Sequence, residues 1–489
     1  MFLLLPVKKY LIYTLYACLI IYSLTAFLNT MPLILWDESR QAANAIEMYM
    51  NNNWIVTYYD NAPDLWNTKP PLLIWLQVIA MKIFGCSVTS LRSIPAIAGI
   101  LTCVFIFDFL NKTTKNIWIG FWGGLILVSM KAYNGYHGTR TADYDALLTL
   151  FILLAIIQYY YYTNTFNKKN ILLFLLFILL GTLTKWVPAL LLLPALFLYT
   201  LISGKLIYVV KDRYFYIGCM FFLLGVGLYY FTREQLSPGY IEAVYMNELG
   251  GRYLEVIESH VGDAFFYFNY FLSDDFFIWN YTFMILIVLS PLLKSHLKNK
   301  NLIQYLFFLT IYLFAFLTTS KTKIVWYIMP VMPLIAAQIS LLLFSLPSFL
   351  NSKRQIKFLP ESIISFTLAL TLSTWTYVKI AKLNDHPYFV SNNEIQFYRL
   401  STFFHNNEFA LNNIANLKVV HNSFQKQHLY FYVKKLTAIN NKIDFADYMF
   451  LKKGDNVITS DESINEYILT NYKTNKIYNK DLIHIYSIQ

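Results

Sequence analysis

The fold is decided by the run YLIYTLYACLIIYSLTAFL at residues 10–28 and by Trp36-Asp37-Glu38-Ser39-Arg40, which follows shortly after it. The run has no charged residue and is long enough to cross a bilayer as a helix, which takes about 20 residues. Adjacent carboxylates and a guanidinium at a membrane boundary are costly to desolvate, so they should face water, a polar cavity or each other. This arrangement predicts an active site built against one face of a membrane.

The composition indicates a membrane protein. Of the 489 residues 57% are hydrophobic and only 14% are charged, whereas a soluble domain is about one quarter charged. The fold class predicted is an all-α polytopic membrane protein with about 11–13 transmembrane helices. The preferred eleven spans are approximately 10–28, 91–110, 117–133, 146–163, 170–185, 187–203, 214–231, 274–293, 302–319, 324–346 and 360–380. The four cysteines form no C-x-x-C motif, so neither a disulfide framework nor a zinc knuckle is indicated.

Loop charges predict the orientation. With the N-terminus in the cytoplasm, every cytoplasmic loop is basic, as the positive-inside rule requires. These loops carry Lys8 and Lys9; Lys112 and Lys115; Lys168 and Lys169; Lys205, Lys211 and Arg213; Lys294, Lys298 and Lys300; and Lys353, Arg354 and Lys357. The apolar stretch 70–86 is then an interfacial helix rather than a span. The N-terminal segment is interpreted as a retained helix, because no cleavage signal follows it.

This orientation predicts two domains. Residues 1–382 form the transmembrane catalytic domain, with a large first exterior loop at 29–90 that carries interfacial helices and a second exterior loop at 232–273. Residues 383–489 form a small soluble α/β domain outside the cytoplasm, because the sequence there becomes polar. Its strand-like runs include Leu417–Val420 and Asn456–Thr459. The predicted location is the inner (plasma) membrane, with the active site and the C-terminal domain on the extracytoplasmic side.

Several cations lie at outer ends of spans, where the charge rule does not place them. They are Lys69, Arg92, Arg140, Lys185, Arg252, Lys321 and Lys323. Snorkelling side chains and satisfied ion pairs are one explanation for each. As a group they favour an anionic ligand at the membrane surface, such as a phosphate whose hydrocarbon tail lies between helices. Arginine grips phosphate oxygens in bidentate fashion, and lysine acts as a point charge.

Two carboxylates, Asp37 and Glu38, are candidates for a general base beside these cations. Asp37 or Glu38 could take a proton from an acceptor hydroxyl while the cations stabilise charge on a departing phosphate. The alternative is structural, because acids at the start of a helix over Gln41–Met50 would stabilise the helix dipole. The two interpretations are compatible.

The motifs together resemble the GT-C superfamily of integral membrane glycosyltransferases, in particular the branch of protein O-mannosyltransferases and lipid A aminoarabinose transferases (glycosyltransferase family 39-like). The resemblance covers roughly residues 30–340. It is carried, in order, by Asp37-Glu38-Ser39-Arg40-Gln41-Ala42, by Lys69-Pro70-Pro71-Leu72 through Leu76, by Phe84-Gly85 with Leu91-Arg92-Ser93-Ile94-Pro95, by Arg140 through Asp145, by Lys185, and by Ser320-Lys321-Thr322-Lys323 with Trp326-Tyr327 and Pro330.

The resemblance implies transfer of a sugar from a polyprenyl-phosphate carrier to an extracytoplasmic acceptor, usually with inversion at the anomeric carbon. It implies Asp37 as catalytic base, with Glu38 beside it. It implies Lys69 and Arg140 as contacts to the donor phosphate, and Lys321 and Lys323 match a Lys-Thr-Lys motif near the donor pocket. Lys185 completes the set of predicted phosphate-binding cations. Asp145 would orient a cation, and Asp143 competes for that role. Arg40 and Tyr327 would be supporting residues.

Metal dependence stays open. Some relatives have an acid immediately before the Lys-Pro pair, where this chain has Thr68. His260, which follows Glu255 and Glu258, resembles a metal-site histidine of that branch, although a histidine among acids is more often a surface residue. No cofactor is certain from the sequence, and a divalent metal is an alternative.

Two other functions compete with the transferase. A transporter or flippase of lipid-linked oligosaccharides would place ionisable residues in mid-span and show internal repeats, and neither is evident here. A polysaccharide polymerase or ligase is a closer rival, because it also combines exterior loops with lipid phosphates. The acceptor could be lipid A, a protein or a surface glycan, and no nucleic-acid partner is predicted.

Overall fold

The computed structural model describes residues 4–249, 256, 259–293, 299–346, 395–411, 414–421, 426–439 and 443–489, with single positions from 367 to 378. The helices in these ranges are α1 Leu4–Thr25, α2 Asp37–Asn51, α3 Leu72–Phe84, α4 Val88–Thr114, α5 Ile117–Ser129, α6 Lys131–Asn134, α7 Asp145–Thr165, α8 Lys168–Leu190, α9 Leu192–Ile202, α10 Leu206–Val210, α11 Arg213–Leu236, α12 Tyr240–Val244, α13 Phe266–Phe271, α14 Trp279–Leu293, α15 Lys300–Thr319, α16 Met332–Leu343, α17 Ile395–Leu411, α18 Gln427–Ile439 and α19 Glu462–Asn471. A π-helical turn spans Tyr245–Leu249, and 3₁₀ segments span Asp274–Phe276, Val325–Val331 and Tyr448–Phe450.

The contacts divide the chain into two compact units. The membrane unit comprises Met1–Phe27, Leu65–Leu73 and Ile94–Asp385. The loop-tail unit comprises Leu28–Asp64, Ile74–Ser93 and His386–Gln489. This division differs from the predicted one, which places all of 29–90 with the transmembrane domain. Its physical basis is a set of hydrogen bonds between the loop at 29–90 and the tail, such as those from the amides of Leu33 and Leu35 to tyrosine hydroxyls of the tail.

Among the described residues, six helices are long and apolar enough to cross a bilayer: Val88–Thr114, Asp145–Thr165, Lys168–Leu190, Arg213–Leu236, Lys300–Thr319 and the joined segment Val325–Leu343. They coincide with six predicted spans, and the chain is a multi-pass membrane protein. The predicted spans 10–28, 117–133, 187–203 and 274–293 coincide with shorter apolar helices, as does the stretch 70–86. Most of the span predicted at 360–380 lies outside the described residues.

Within the membrane unit, α7 packs against α8, α8 against α11, and α5 against α16. Asn116, Asn167 and Asp212 each cap a helix by accepting a hydrogen bond from the amide two residues later. The backbone of α8 leaves helical geometry at Lys185 (φ −149°, ψ 56°) and Trp186 (φ 22°, ψ −110°). Pro188 explains this kink, because a proline ring clashes with the carbonyl four residues earlier.

In the loop-tail unit, α2 packs against α18 and against strand β1 (Tyr58–Tyr59), which pairs with β2 (Ala62–Pro63). The tail contains β3 Leu417–Val419, β4 Ile443–Phe445, β5 Asn456–Thr459, β6 Thr474–Lys480 and β7 Ile483–Ile488. These strands form one mixed sheet of order β4-β3-β5-β7-β6. The pairs of β3 with β4 and β5 are parallel, and those of β7 with β5 and β6 are antiparallel.

Candidate active site

Glu38 lies in the first turn of α2, and its carboxylate is fully engaged. The Arg92 guanidinium donates to both of its oxygens, from Nε to Oε1 at 2.7 Å and from Nη2 to Oε2 at 2.8 Å. The Ile34 amide donates to Oε2 at 2.8 Å. Both ionic partners are buried, and such a forked ion pair fixes the geometry of its members as well as adding energy. Glu38 therefore holds the start of α2 in place.

The remaining donors of Arg92 go to backbone carbonyls in the segment before α2. They bind the oxygens of Leu28 (2.9 Å), Met31 (2.9 Å) and Pro32 (2.8 Å). Arg92 is thus the centre of a loop anchor. This structural role explains why a cation lies at this end of a predicted span.

Asp37 is the first residue of α2 and is half-buried, in contrast to Glu38. An acid at this position is favoured by the partial positive charge of the helix N-terminus. Trp36 immediately before it has φ 72° and ψ −120°, and its side chain makes no capping hydrogen bond. A tryptophan with positive φ is strained, and such strain often marks a functional site.

Arg40 supports the hairpin that follows α2. Its guanidinium binds both oxygens of Asp64, at 3.0 Å from Nε and 2.8 Å from Nη2, and Asn44 donates to the same carboxylate at 2.8 Å. The Arg40 guanidinium carbon lies 3.5 Å from the centre of the Tyr59 ring. Burial raises the pKa of Tyr59, and the nearby Arg40 charge opposes that rise. Arg40 is therefore bound in a supporting network.

Lys69, in the membrane unit, follows two anchored residues. Asn67 donates to the hydroxyl of Tyr144 at 3.0 Å. The Thr68 hydroxyl donates to Glu248 at 2.9 Å, and the Thr68 carbonyl accepts from the Tyr240 hydroxyl at 2.8 Å. The half-buried Lys69 ammonium lies 5.8 Å from the centre of the Tyr144 ring.

Tyr240 itself is held by a cation and by stacking. The guanidinium carbon of buried Arg233 lies 4.5 Å from the centre of the Tyr240 ring, and Tyr230 stacks on the same ring with centres 5.8 Å apart. The segment that presents Lys69 is therefore fixed by side chains from the loop at 232–273. Sequence reasoning missed Tyr240 and Glu248, because a tyrosine and a glutamate in a mixed loop carry no positional signal.

Asp145 and Lys185 form a buried ion pair with Nζ and Oδ1 2.7 Å apart. The Lys185 ammonium also lies 5.2 Å from the centre of the Tyr327 ring. Asp143 instead faces His137, with 3.6 Å between Oδ2 and Nδ1. Asp145 thus contacts one of the predicted cations, Lys185.

His137 stacks on Trp326, with ring centres 3.6 Å apart and an interplanar angle of 12°. The fold therefore brings residues 137–145 together with the Lys185 and Trp326-Tyr327 motifs. His137 was not singled out from the sequence, although it opens the motif that contains Arg140.

Arg140 is buried, and its guanidinium donates to the carbonyls of Ser23, at 3.4 Å, and Ala26. Ser23 is in the last turn of α1, where carbonyls lack helical partners and a cation is favoured. These contacts hold the Arg140 guanidinium at the end of α1.

The two lysines of the Lys-Thr-Lys motif differ. Lys321 is exposed, whereas Lys323 is buried and its ammonium donates to the carbonyls of Thr318 (2.7 Å) and Ser320 (2.8 Å). Burial lowers the pKa of Lys323, and Asp263 opposes that change. Lys323 shapes its own loop, which leaves Lys321 as the accessible cation of the motif.

The described residues contain no group of three or more His, Cys, Asp or Glu side chains that could hold a metal ion. His260 accepts a hydrogen bond at its carbonyl from the Lys323 amide at 3.0 Å. Glu255 and Glu258 lie outside the described residues. The metal assignment of His260 stays a prediction.

Comparisons show which known proteins the chain is similar to. The family model of dolichyl-phosphate-mannose-protein mannosyltransferases matches residues 68–230. Undecaprenyl phosphate-alpha-4-amino-4-deoxy-L-arabinose arabinosyl transferase 1 from Proteus mirabilis is 24% identical over 63% of this chain and 55% of its own length. An uncharacterised protein from Aquifex aeolicus is 27% identical over 69% of this chain and 64% of its own length. The chain thus spans less than two thirds of either relative.

The fold is that of solved membrane glycosyltransferases. ArnT from Cupriavidus metallidurans, in a crystal structure with undecaprenyl phosphate, has a TM-score of 0.67 at 13% identity and covers 98% of both chains. The oligosaccharyltransferase from Archaeoglobus fulgidus has a TM-score of 0.51 at 13% identity and covers 99% of this chain and 74% of its own. The chain therefore has the GT-C fold, and the resemblance to the GT-C superfamily is confirmed.

Proposed function

We propose that this chain transfers a sugar from a polyprenyl-phosphate donor to a hydroxyl-bearing acceptor on the extracytoplasmic side of the inner membrane. The observation that carries the proposal is a group of contacts within the membrane unit. Lys69 lies over the ring of Tyr144, whose neighbour in the sequence, Asp145, pairs with Lys185, and Lys185 lies over the ring of Tyr327. Lysines held by aromatic rings and a carboxylate at membrane helices suit a phosphate whose lipid tail lies in the bilayer. The matched relatives, whose names include undecaprenyl-phosphate and dolichyl-phosphate sugar transferases, support the same donor class.

The cations proposed to bind the donor phosphate differ in their roles. Lys69 is half-buried and forms no ion pair within the described part of the chain, so it is the first candidate for direct contact. Lys185 is oriented by Asp145, and Arg140 is oriented by carbonyls of α1. Lys321 is the exposed member of its motif and is a second direct contact. Lys323 supports the loop that presents it.

The reaction is a displacement at the anomeric carbon. The acceptor oxygen forms a bond to that carbon while the bond from the carbon to the phosphate oxygen breaks. The electron pair of the broken bond goes to the phosphate, whose charge the cations stabilise. The acceptor proton goes to the Asp37 carboxylate as general base. A single displacement of this kind inverts the anomeric configuration.

Asp37 is preferred over Glu38 as the base because the two carboxylates have different partners. Both Glu38 oxygens accept hydrogen bonds from Arg92, and one also accepts from Ile34. Taking a proton there would disrupt a buried ion pair, which costs about 3–5 kcal/mol when one partner is lost. Glu38 is therefore assigned to holding the helix start.

The experiment combines a purified reaction with cellular analysis. The protein in lipid nanodiscs is given undecaprenyl-phosphate-linked aminoarabinose or mannose, and release of undecaprenyl phosphate is followed by mass spectrometry. Lipid A, glycoproteins and surface glycans from cells with and without the protein then identify the acceptor. Translocation of intact donor across vesicles without cleavage would instead identify a flippase.

A further inference from the structure

The backbone before Asp37 is held almost entirely by side chains. The successive amides of Leu33, Ile34 and Leu35 donate to Tyr432 Oη at 3.1 Å, to Glu38 Oε2 at 2.8 Å and to Tyr398 Oη at 2.9 Å. The Arg92 guanidinium binds carbonyls of the same segment. Because these successive backbone groups all have side-chain partners, the path of the chain into α2 is fixed.

The fixed path ends at the strained residue. Trp36, with φ 72° and ψ −120°, directly follows Leu35 and directly precedes Asp37. Backbone strain of this kind persists only where the surroundings over-determine the conformation. The hydrogen bonds from the Leu33 and Leu35 amides therefore help to fix the position and orientation of Asp37 at the start of α2.

Two of these supports come from the C-terminal tail. Tyr398 lies on α17 and Tyr432 on α18; both side chains are buried, and the two helices pack against each other. A third tail residue, His405, contacts the Asn29 carbonyl through Nε2 at 2.6 Å. A carbonyl only accepts, so Nε2 carries the proton of this bond. The tail thus contacts the segment before Asp37 at several points within one unit.

We propose that Tyr398 and Tyr432 are positioning residues for the general base, and that the tail is for this reason a working part of the catalytic machinery. The inference rests on the proposed role of Asp37. Each hydroxyl supplies an acceptor to a buried amide, and phenylalanine would leave that amide without its partner while keeping the ring. The segment would then relax, and Asp37 would leave its productive position.

The test uses Tyr398→Phe, Tyr432→Phe and the double variant in the full-length protein in nanodiscs. We expect kcat to fall about tenfold or more in each single variant, because small displacements of a reacting group have effects of this order. The loss in the double variant should be smaller than the product of the two single losses, because both tyrosines act through the same segment before Asp37. The dissociation constant for undecaprenyl-phosphate aminoarabinose should stay unchanged, because the proposed phosphate-binding cations are other residues: Lys69, Arg140, Lys185 and Lys321.

The matched control is Tyr486→Phe. Its hydroxyl donates to Asn465 at 2.8 Å inside the tail, so this variant also removes one tyrosine hydrogen bond from the same unit. We expect wild-type kcat from it. A thermal unfolding midpoint for every variant checks that each protein is folded.

Coupling to Asp37 gives a second readout. In an Asp37→Asn background, Tyr398→Phe should cause no further loss of kcat, since residues that act through one group are not additive. The inference is overturned if the tyrosine variants keep wild-type kcat, if they lose donor binding together with kcat, or if their losses add to that of Asp37→Asn. An active Asp37→Asn variant would instead refute the assignment of the base itself, which separates the two failures.

Discussion

Asp37 and Glu38 are neighbours in the chain, yet they differ in burial and in the side chains that hold them. The Glu38 carboxylate is buried under the Arg92 fork, whereas Asp37 is half-buried at the helix start. The same contrast separates Lys321, which is exposed, from Lys323, which is tied to carbonyls. Residues that are distant in the sequence form the surroundings of each side chain. These surroundings determine whether the side chain has a chemical or a structural role.

This contrast predicts different defects for two isosteric substitutions. Asp37→Asn should lower the transfer rate by about 10²–10⁴ because the base is lost, with a normal unfolding midpoint and normal donor binding. Glu38→Gln should mainly lower stability, by about 3–5 kcal/mol at most, because it breaks a buried pair. Transfer assays and thermal unfolding of both variants measure the difference. A dead, stable Glu38→Gln protein beside an active Asp37→Asn protein would exchange the roles.

The buried pair of Asp145 and Lys185 gives a second prediction for single residues. Either Asp145→Leu or Lys185→Met alone should destabilise the protein by about 3–5 kcal/mol, because an unpaired charge is left buried. The double variant should regain much of this stability, since apolar replacements of buried pairs are often neutral. Sugar transfer should not return with it, because the cation is lost. Full transfer activity in the double variant would mean that the pair is structural only.

At the scale of elements, the Lys69 segment depends on a short helix that is far from it in sequence. Tyr240 at the start of α12 holds the Thr68 carbonyl, and Glu248 in the following π-helical turn holds the Thr68 hydroxyl. An aromatic stack and Arg233 in turn fix Tyr240. The elements after α11 therefore act as a support for the Lys-Pro run.

Tyr240→Phe tests this support. It leaves the Thr68 carbonyl without its donor, so we expect donor affinity to fall about tenfold, which corresponds to about 1.4 kcal/mol. Titration with undecaprenyl-phosphate aminoarabinose measures the change. Tyr245→Phe is the control, because Tyr245 is exposed. Equal donor affinity in both variants would show that α12 does not position Lys69.

The sequence predicts elements better than their pairings. Apolar runs identify spans because bilayer thickness imposes a length of about 20 residues on them, and the acids before Gln41–Met50 mark the start of α2. The bond between Leu35 and Tyr398, by contrast, joins residues 363 positions apart. Such a contact leaves no local period in the sequence. Arg92 shows the same limit, because its position suggests a ligand contact and its partners make it a loop anchor.

At the scale of the whole molecule, the basic loops predict which side of the membrane each segment occupies. A variant without the four native cysteines, carrying one new cysteine at a time, tests this orientation. Asn52→Cys and Lys453→Cys should react with an impermeant maleimide outside intact spheroplasts, whereas Lys168→Cys should react only after permeabilisation. All three positions are exposed. Labelling of Asn52→Cys without Lys453→Cys would show that the predicted number of spans has the wrong parity.

The interleaving of the loop-tail unit imposes an order on biosynthesis. Leu28–Asp64 and Ile74–Ser93 leave the ribosome long before His386–Gln489, with which they form one compact unit. At about 5–20 residues per second, the ribosome needs roughly 15–60 s to make the intervening chain. During that interval the amides of Leu33 and Leu35 lack the hydrogen-bond partners that Tyr432 and Tyr398 provide, because these tyrosines have not yet been synthesised. The nascent protein is therefore expected to expose an unfinished exterior loop to chaperones and proteases until synthesis of the tail ends.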